Sequence, residues 1–216
     1  MMQLTVLGTE LQLLPEKAIY IDRWQSLLVS DVHLGKSETF QAAGIPITNQ
    51  VNQETLDRLQ MLCLKTQPKT LIILGDLFHS RFALVQDVVD RWTDFLNAVQ
   101  VEVKLVVGNH DRALLHQFKD LAIKCYSNGL QYDRLLMSHE PSPQAHTLNI
   151  CGHIHPCVRL KTRLDNLRLP CFYWEHAKNL LVLPSFGAFT GSYEVALTAG
   201  TIAYAIAEQA VIPLEK

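Results

Sequence analysis

Three short apolar runs in the first half of the chain end abruptly in polar residues. They are Leu27-Leu28-Val29 before Ser30-Asp31-Val32-His33, Leu71-Ile72-Ile73-Leu74 before Gly75-Asp76, and Val103-Lys104-Leu105-Val106-Val107 before Gly108-Asn109-His110-Asp111. Short aliphatic runs of this kind predict strands buried on both faces, whose last residues are delivered to the edge of a sheet. Between them the apolar spacing becomes helical. Leu56, Leu59, Leu62 and Cys63 mark one helix from about Gln53, stopped by Pro68. Val85, Val88, Val89, Trp92, Phe95, Leu96 and Val99 form a single stripe on a second, with acids and Arg91 opposite. Ahead of these, residues 4–7, 11–14, 18–21 and 26–30 are predicted as short strands. Residues 35–50, with Gly44-Ile45-Pro46, are too irregular for an element and are expected to loop over the strand ends.

Strand, helix, strand, helix, strand in that order implies a parallel sheet with right-handed crossovers. From Leu121 onward short strands dominate, at residues 122–126, 134–138, 147–151, 158–164, 168–174, 180–183, 193–197 and 201–207. Their density predicts a second sheet packed on the first, with a hairpin around Thr198-Ala199-Gly200. No repeat, low-complexity tract or linker interrupts the chain, so residues 1–216 are expected to form one domain.

Composition narrows the function. With 216 residues, 48% hydrophobic and 19% charged, the chain has enough apolar material for a full core. A net charge of −2 argues against clamping duplex DNA through a broad basic surface, so any nucleic-acid contact has to be local. The five cysteines lack the spacing of a disulfide framework, and neither a signal peptide nor a bilayer-spanning run is evident. A soluble cytoplasmic protein without membrane contact is expected.

Nine histidines is a high count, and six lie in or beside short motifs. In chain order the candidate ligands are Asp31, His33, Asp76, Asn109, His110, His139, His153 and His155, each following a predicted strand. All bind borderline to hard divalent metals through oxygen or imidazole nitrogen. Singly, each reads as a cap or a satisfied polar residue, and Asn109 as a turn residue. Their conjunction is not explained by packing. His153-x-His155 is read as strand alternation that points both rings to one face.

These blocks resemble the calcineurin-like metallophosphoesterase signature: Asp-x-His at 31–33, Gly-Asp at 75–76, Gly-Asn-His-Asp at 108–111, a lone His139, and Gly-His-x-His at 152–155. The resemblance implies an α/β fold, a four-layer α-β-β-α sandwich with two packed mixed β-sheets. Carried over by position, it assigns Asp31, His33, Asp76 and His155 to one metal and Asp76, Asn109, His139 and His153 to the other, with Asp76 shared. Two ions roughly 3.5–4 Å apart neutralise a phosphodiester's anionic oxygens and deprotonate a water between them for in-line attack. His110, not assigned as a ligand, is left to assist the leaving oxygen, and Asp111 to orient or charge it.

A closer resemblance covers nearly the whole chain. Asp31-Val-His-Leu-Gly-Lys36, Gly44-Ile-Pro46, Gly75-Asp-Leu-Phe-His-Ser-Arg81, Gly108-Asn-His-Asp-Arg112, His139-Glu-Pro141, Cys151-Gly-His-Ile-His-Pro156, Leu169-Pro-Cys-Phe172 and Leu183-Pro-Ser-Phe-Gly-Ala-Phe-Thr-Gly191 are similar to the bacterial DNA-ligase-associated metallophosphoesterases, a DNA damage response endonuclease family. That resemblance implies a manganese-dependent endonuclease acting on single-stranded DNA in repair, in functional association with an ATP-dependent DNA ligase. The same ligand set also accepts iron or zinc.

Several residues carry two readings. Lys36, His79, Arg81 and Arg112 lie a few positions beyond ligands and either touch substrate phosphates or point outward. Arg159, Lys161 and Arg163 alternate along a predicted strand, as a phosphate rail or as its solvent face. Phe186 and Phe189 flank Gly187, as a stacking surface for a base or as core. Cys151 and Cys157 are expected to be buried apolar thiols rather than zinc ligands. Competing functions are a phosphomonoesterase or small-molecule or cyclic-nucleotide phosphodiesterase of the same fold, and a scaffold that has lost its metals. The complete ligand set argues against the scaffold.

Overall fold

The computed structural model describes residues 1–42, 44–45, 50–161, 166–188 and 190–216. The first sheet runs in chain order through β1 (Met2–Val6), β2 (Thr9–Leu14), β3 (Ala18–Ile21), β4 (Ser26–Val29), β5 (Thr70–Leu74), β6 (Glu102–Val106) and β7 (Ile123–Tyr126). Neighbours are antiparallel as far as β4 and parallel from β4 to β7. Between β4 and β5 lie α1 (Lys36–Ala42) and α2 (Gln50–Thr66), and α3 (Gln86–Val99) joins β5 to β6. Parallel neighbours require such crossovers.

The second sheet is built from β8 (Leu130–Tyr132), β9 (Leu135–Met137), β10 (Leu148–Cys151), β11 (Pro156–Lys161), β12 (Asn166–Glu175), β13 (Leu180–Val182) and β14 (Tyr193–Glu194), in the order β14-β11-β12-β13-β10-β9-β8. β15 (Thr201–Ala207) pairs with β12 and with β16 (Ala210–Leu214). Among the described residues no helix is long and apolar enough to cross a membrane.

Alternation along the central strands divides the core in two. Leu27, Val29, Leu71, Ile73, Val103 and Leu105 face Leu56, Leu59 and Leu62 of α2 and Val88, Trp92 and Phe95 of α3. The intervening Leu28, Ile72, Leu74 and Val106 face Leu135, Met137, Leu148, Ile150, Phe172 and Leu181 of the second sheet. Both faces of these strands are therefore covered, which is why they read as unbroken apolar runs. The outer face of the second sheet carries a smaller cluster around Val158, Cys171, Ala203 and Ala205.

Three expectations need correction. Residues 36–42 form α1 rather than loop; its inward face is polar, with the Glu38 carboxylate accepting from Asn52 Nδ2 at 2.9 and 2.8 Å, so hydrophobic periodicity gives no signal. β7 belongs to the first sheet, parallel to β6, because Leu121 and Ile123 return to the helix-covered core. The turn at 198–200 does not join a hairpin. The strand before it is only Tyr193–Glu194 and pairs parallel with β11, while the hairpin partner of β15 is β16, which the sequence pattern did not mark.

Candidate metal centre

The parallel strands β4, β5 and β6 end at one edge of the first sheet, where open α/β sheets place their chemistry. Asp31 and His33 follow β4, Asp76 follows β5, and Asn109 and His110 follow β6. In the second sheet β9 and β10 are also parallel, so His139, His153 and His155 leave its matching edge. Hydrogen bonds tie the edges together. Asp31 N–H donates to Gly75 O at 3.1 Å, His33 N–H to Asp76 O at 3.0 Å, and His153 N–H crosses between sheets to Asp31 Oδ2 at 3.0 Å.

His153 and His155 do not sit on a strand, which corrects the reading of His-x-His as strand alternation. They lie in the loop between β10 and β11, with φ of +68° and +53°. Asp31, His33 and Asp76 share this left-handed backbone, at +53°, +52° and +51°. Such a conformation is costly for residues with a Cβ and concentrates at functional sites. The neighbouring glycines give the ligands room: a Cβ on Gly152 would collide with Ser30 Oγ, and one on Gly108 with Asp76 Oδ1.

Two groups of ligand atoms result, each drawn together within 4.8 Å: Asp31, His33 and His155, and Asp76, His139 and His153. A third group, His33, Asp76 and His110, links them. His139 Nδ1 lies 3.0 Å from Leu74 O, which can only accept, so Nδ1 carries the proton and Nε2 the lone pair. Facing that lone pair are Asn109 Oδ1 at 2.9 Å, Asp76 Oδ2 at 3.5 Å and His153 Nδ1 at 3.1 Å. His155 repeats the device. Its Nδ1 donates to Gly191 O at 3.0 Å, turning the Nε2 lone pair toward Asp31 Oδ1 at 3.2 Å.

Asp31 Oδ1 is buried and makes no hydrogen bond, because the atom opposite it is also an electron-pair donor. A cation reconciles such converging lone pairs. Metal-binding histidines characteristically donate their second N–H to a carbonyl in this way. These residues fit divalent cations: Asp31, His33 and His155 could hold one, and Asp76, His139 and His153, with Asn109 beside them, another. Burial pushes His33 down to about 3 despite the nearby Asp31 carboxylate, so its ring is a neutral donor of electrons. Burial likewise raises Asp76.

The remaining expected residues separate into those at the centre and those away from it. His110 is at the open side, its side chain 37% exposed, with its N–H on Asp76 Oδ1 at 3.0 Å and its ring stacked on His79 at 5.4 Å. His79 also reaches His33, Nδ1 to Nδ1 at 3.4 Å, and burial followed by Lys36 pushes it down to about 4. Asp111 is fully buried and does not serve the His110 ring. Its carboxylate accepts the N–H groups of Asp76, Leu77, Phe78 and Gly108 at 2.8, 3.1, 3.4 and 2.9 Å and so positions the loop that carries Asp76.

Lys36 lies at the start of α1 with Nζ over the Phe40 ring, and exposed Arg81 lies over Phe82. Exposed Arg112 lines a cavity of about 170 Å³ with His139 and Glu140. Arg159 and Lys161 are exposed on β11, where Glu194 binds Arg159 at 2.8 Å; Arg163 falls outside the described residues. Phe186 is fully buried beneath the Arg58 guanidinium, so it is core rather than a base platform, and Phe189 lies outside the described residues. Cys151 and Cys157 are buried free thiols. No motif marked Lys17 or Arg58, two cations that the fold brings beside this centre.

The sequence model of the calcineurin-like phosphoesterases matches residues 26–175, more than half of the chain. Among solved structures, the chain is similar to the Pseudomonas putida nuclease MPE, at 31% identity over 99% of both chains with a TM-score of 0.83. It also aligns with Yfce, a phosphoesterase from E. coli, at 16% identity over 88% of this chain and 97% of that one, with a TM-score of 0.49. No curated protein sequence matches it. With ligands from two sheets converging as this chemistry requires, the chain belongs to the calcineurin-like phosphoesterase family and is a metal-dependent phosphoesterase.

Proposed function

We propose that this phosphoesterase is a two-metal phosphodiesterase that cuts single-stranded DNA internally, with manganese as its working metal. The observation that carries the reading is the pair of candidate ligand groups linked through His33 and Asp76. Divalent ions held there would neutralise the anionic oxygens of a phosphodiester and supply a nucleophile from water near neutral pH. His110 stands at the open side, 3.9 Å from Asp76 Oδ2, and there it would give a proton to the leaving oxygen. His33 and His79, both neutral, hold the ring of His110 between aromatic neighbours.

Nucleic acid as the substrate is supported by the similarity over the full chain to a protein described as a nuclease. The motifs shared with the DNA-ligase-associated metallophosphoesterases, the Phe186-Gly-Ala-Phe-Thr-Gly191 segment above all, support single-stranded DNA and a role in repair beside an ATP-dependent ligase. The test is circular single-stranded DNA with a duplex control, with and without manganese. Opening of the single-stranded circle only with metal is expected. Asp76→Ala should abolish it and His110→Ala should slow it by about 10²–10⁴-fold. A His110→Ala protein that cuts normally would remove the leaving-group role.

A further inference from the structure

Beside His155 lies a cavity of about 170 Å³, lined among others by Lys17, Arg168, Thr190, Gly191 and Ser192. We propose that it is a second phosphate subsite, which holds the phosphate next along the strand to the one being cut. The proposal rests on the nuclease reading above and deepens it.

The cavity adjoins the metal centre through one side chain. His155 turns Nε2 toward Asp31 while its Nδ1–H bonds Gly191 O, a wall of the cavity. Lys17 reaches it from the turn between β2 and β3. Ile19 is paired with Leu28, so Lys17 lies level with Ser30, at the same sheet edge from which Asp31 emerges.

Charge identifies the occupant. The Lys17 ammonium has no hydrogen bond and no carboxylate partner among the described residues. Arg58 of α2 is close enough to disfavour its charge, and burial with Arg58 pushes it down to about 8. Arg58 donates to Phe186 O and lies 4.2 Å over the Phe186 ring, while its buried Nε has no partner. Two half-buried cations without an acid are unfavourable unless an anion joins them. Arg168 adds a third cation. Its 3.6 Å contact is with Glu194, which Arg159 already engages at 2.8 Å.

Shape and lining select phosphate over base. A volume of about 170 Å³ is an order of magnitude above the roughly 10–15 Å³ that holds one water. Among the described residues, His155 is the one aromatic ring on a lining otherwise made of cationic, hydroxyl and small side chains. Cations with the Thr190 and Ser192 hydroxyls are the groups that grip a sugar–phosphate backbone. A small diester with a single phosphorus has no neighbouring phosphate to place there, whereas a nucleic-acid strand does, so the subsite would favour nucleic acid over such diesters.

The test compares kcat/KM for a single-stranded oligothymidylate with that for bis(4-nitrophenyl) phosphate, in manganese, for wild type, Lys17→Ala, Lys17→Arg and Arg168→Ala. Both rates come from one preparation, so a folding defect cancels in their ratio. In Lys17→Ala the oligonucleotide-to-small-diester ratio should fall about tenfold, through KM, and the salt slope for the oligonucleotide should shrink by about 0.7. Lys17→Arg should restore the ratio to within about threefold, and Arg168→Ala should move it in the same direction as Lys17→Ala. A ratio and salt slope unchanged in Lys17→Ala would overturn the subsite and leave the nuclease reading intact. Wild-type protein that hydrolyses the small diester but never cuts the oligonucleotide would overturn both.

Discussion

Replacing Gly75 by alanine tests whether the backbone after β5 is shaped around His139. Gly75 has φ +81°, and a Cβ there would run into the His139 ring and its Cβ. Left-handed backbone costs an alanine about 1–2 kcal/mol. The ring cannot easily give way. His139 is 5% exposed and bonded through Nδ1 to Leu74 O, so moving it forfeits a hydrogen bond of about 1 kcal/mol and strains the packing by about 1–3 kcal/mol. Gly75→Ala should therefore lose about 3–6 kcal/mol, and at roughly 2–4 °C per kcal/mol its Tm should fall by about 6–24 °C. Gly8 supplies the control, with φ +79° and nothing within 4 Å of where a methyl would stand, so Gly8→Ala should suffer only the backbone cost, about 2–8 °C. A ring displaced by about 1 Å should also cost the reaction about 10²-fold. Differential scanning calorimetry and manganese-dependent hydrolysis of bis(4-nitrophenyl) phosphate read the two effects. Equal falls in Tm for both variants, or full activity in Gly75→Ala, would refute the reasoning.

Two further outcomes follow from the geometry. Elemental analysis after equilibration with manganese should find two ions per chain in the wild type and one in His153→Ala, and a hundredfold excess over Kd should stabilise the fold by about 2.7 kcal/mol per site in calorimetry; a wild-type protein whose Tm ignores manganese would contradict this. For Lys17, burial and Arg58 lower the pKa from 10.5 to about 8, so between those values the unfolded chain holds a proton that the folded one lacks and stability rises with pH. The ammonium is lost over the same rise, so KM for an oligonucleotide should climb as pH passes about 8 in wild type but stay level in Lys17→Arg; parallel profiles would count against a charged Lys17 in binding.

Much of the centre was legible because each ligand follows a strand covered on both faces, and such strands announce themselves by unalternating aliphatic residues. Leu71 to Leu74 before Asp76 is the clearest case. α3 was legible for a related reason, since Val88, Trp92 and Phe95 have to face the sheet. Where burial is polar the signal disappears, as in α1, whose inward Ser37 and Glu38 look like surface residues until Asn52 is placed against them. Asp111 was readable as part of a motif but not in its role, because four backbone N–H groups arriving from two loops are a tertiary fact. Lys17 and Arg58 left no trace, since a lysine in a turn and an arginine on a helix are ordinary until the fold brings them together.

The left-handed backbone explains why the ligand loops are cross-tied so heavily. At about 1–2 kcal/mol each, the conformations of Asp31, His33, Asp76, His153 and His155 together cost roughly 5–10 kcal/mol, comparable with the 5–15 kcal/mol by which a domain is normally stable. Backbone bonds oppose part of this: Gly187 N–H and Ser185 Oγ both donate to Asp31 O, at 3.0 and 2.9 Å, and Phe186 N–H donates to Ser30 O at 2.8 Å. Those three donors are the consecutive residues Ser185, Phe186 and Gly187. The segment they begin thus holds the Asp31 loop from behind, and through Gly191 O it also fixes the ring of His155. Bound ions would supply the rest of the compensation, because only they satisfy Asp31 Oδ1 and the lone pairs of His139 and His155 together. The metals are on this argument part of what keeps the strained loops folded, and chelation should loosen residues 31–33 and 153–155 in hydrogen exchange before it loosens the strands that carry them.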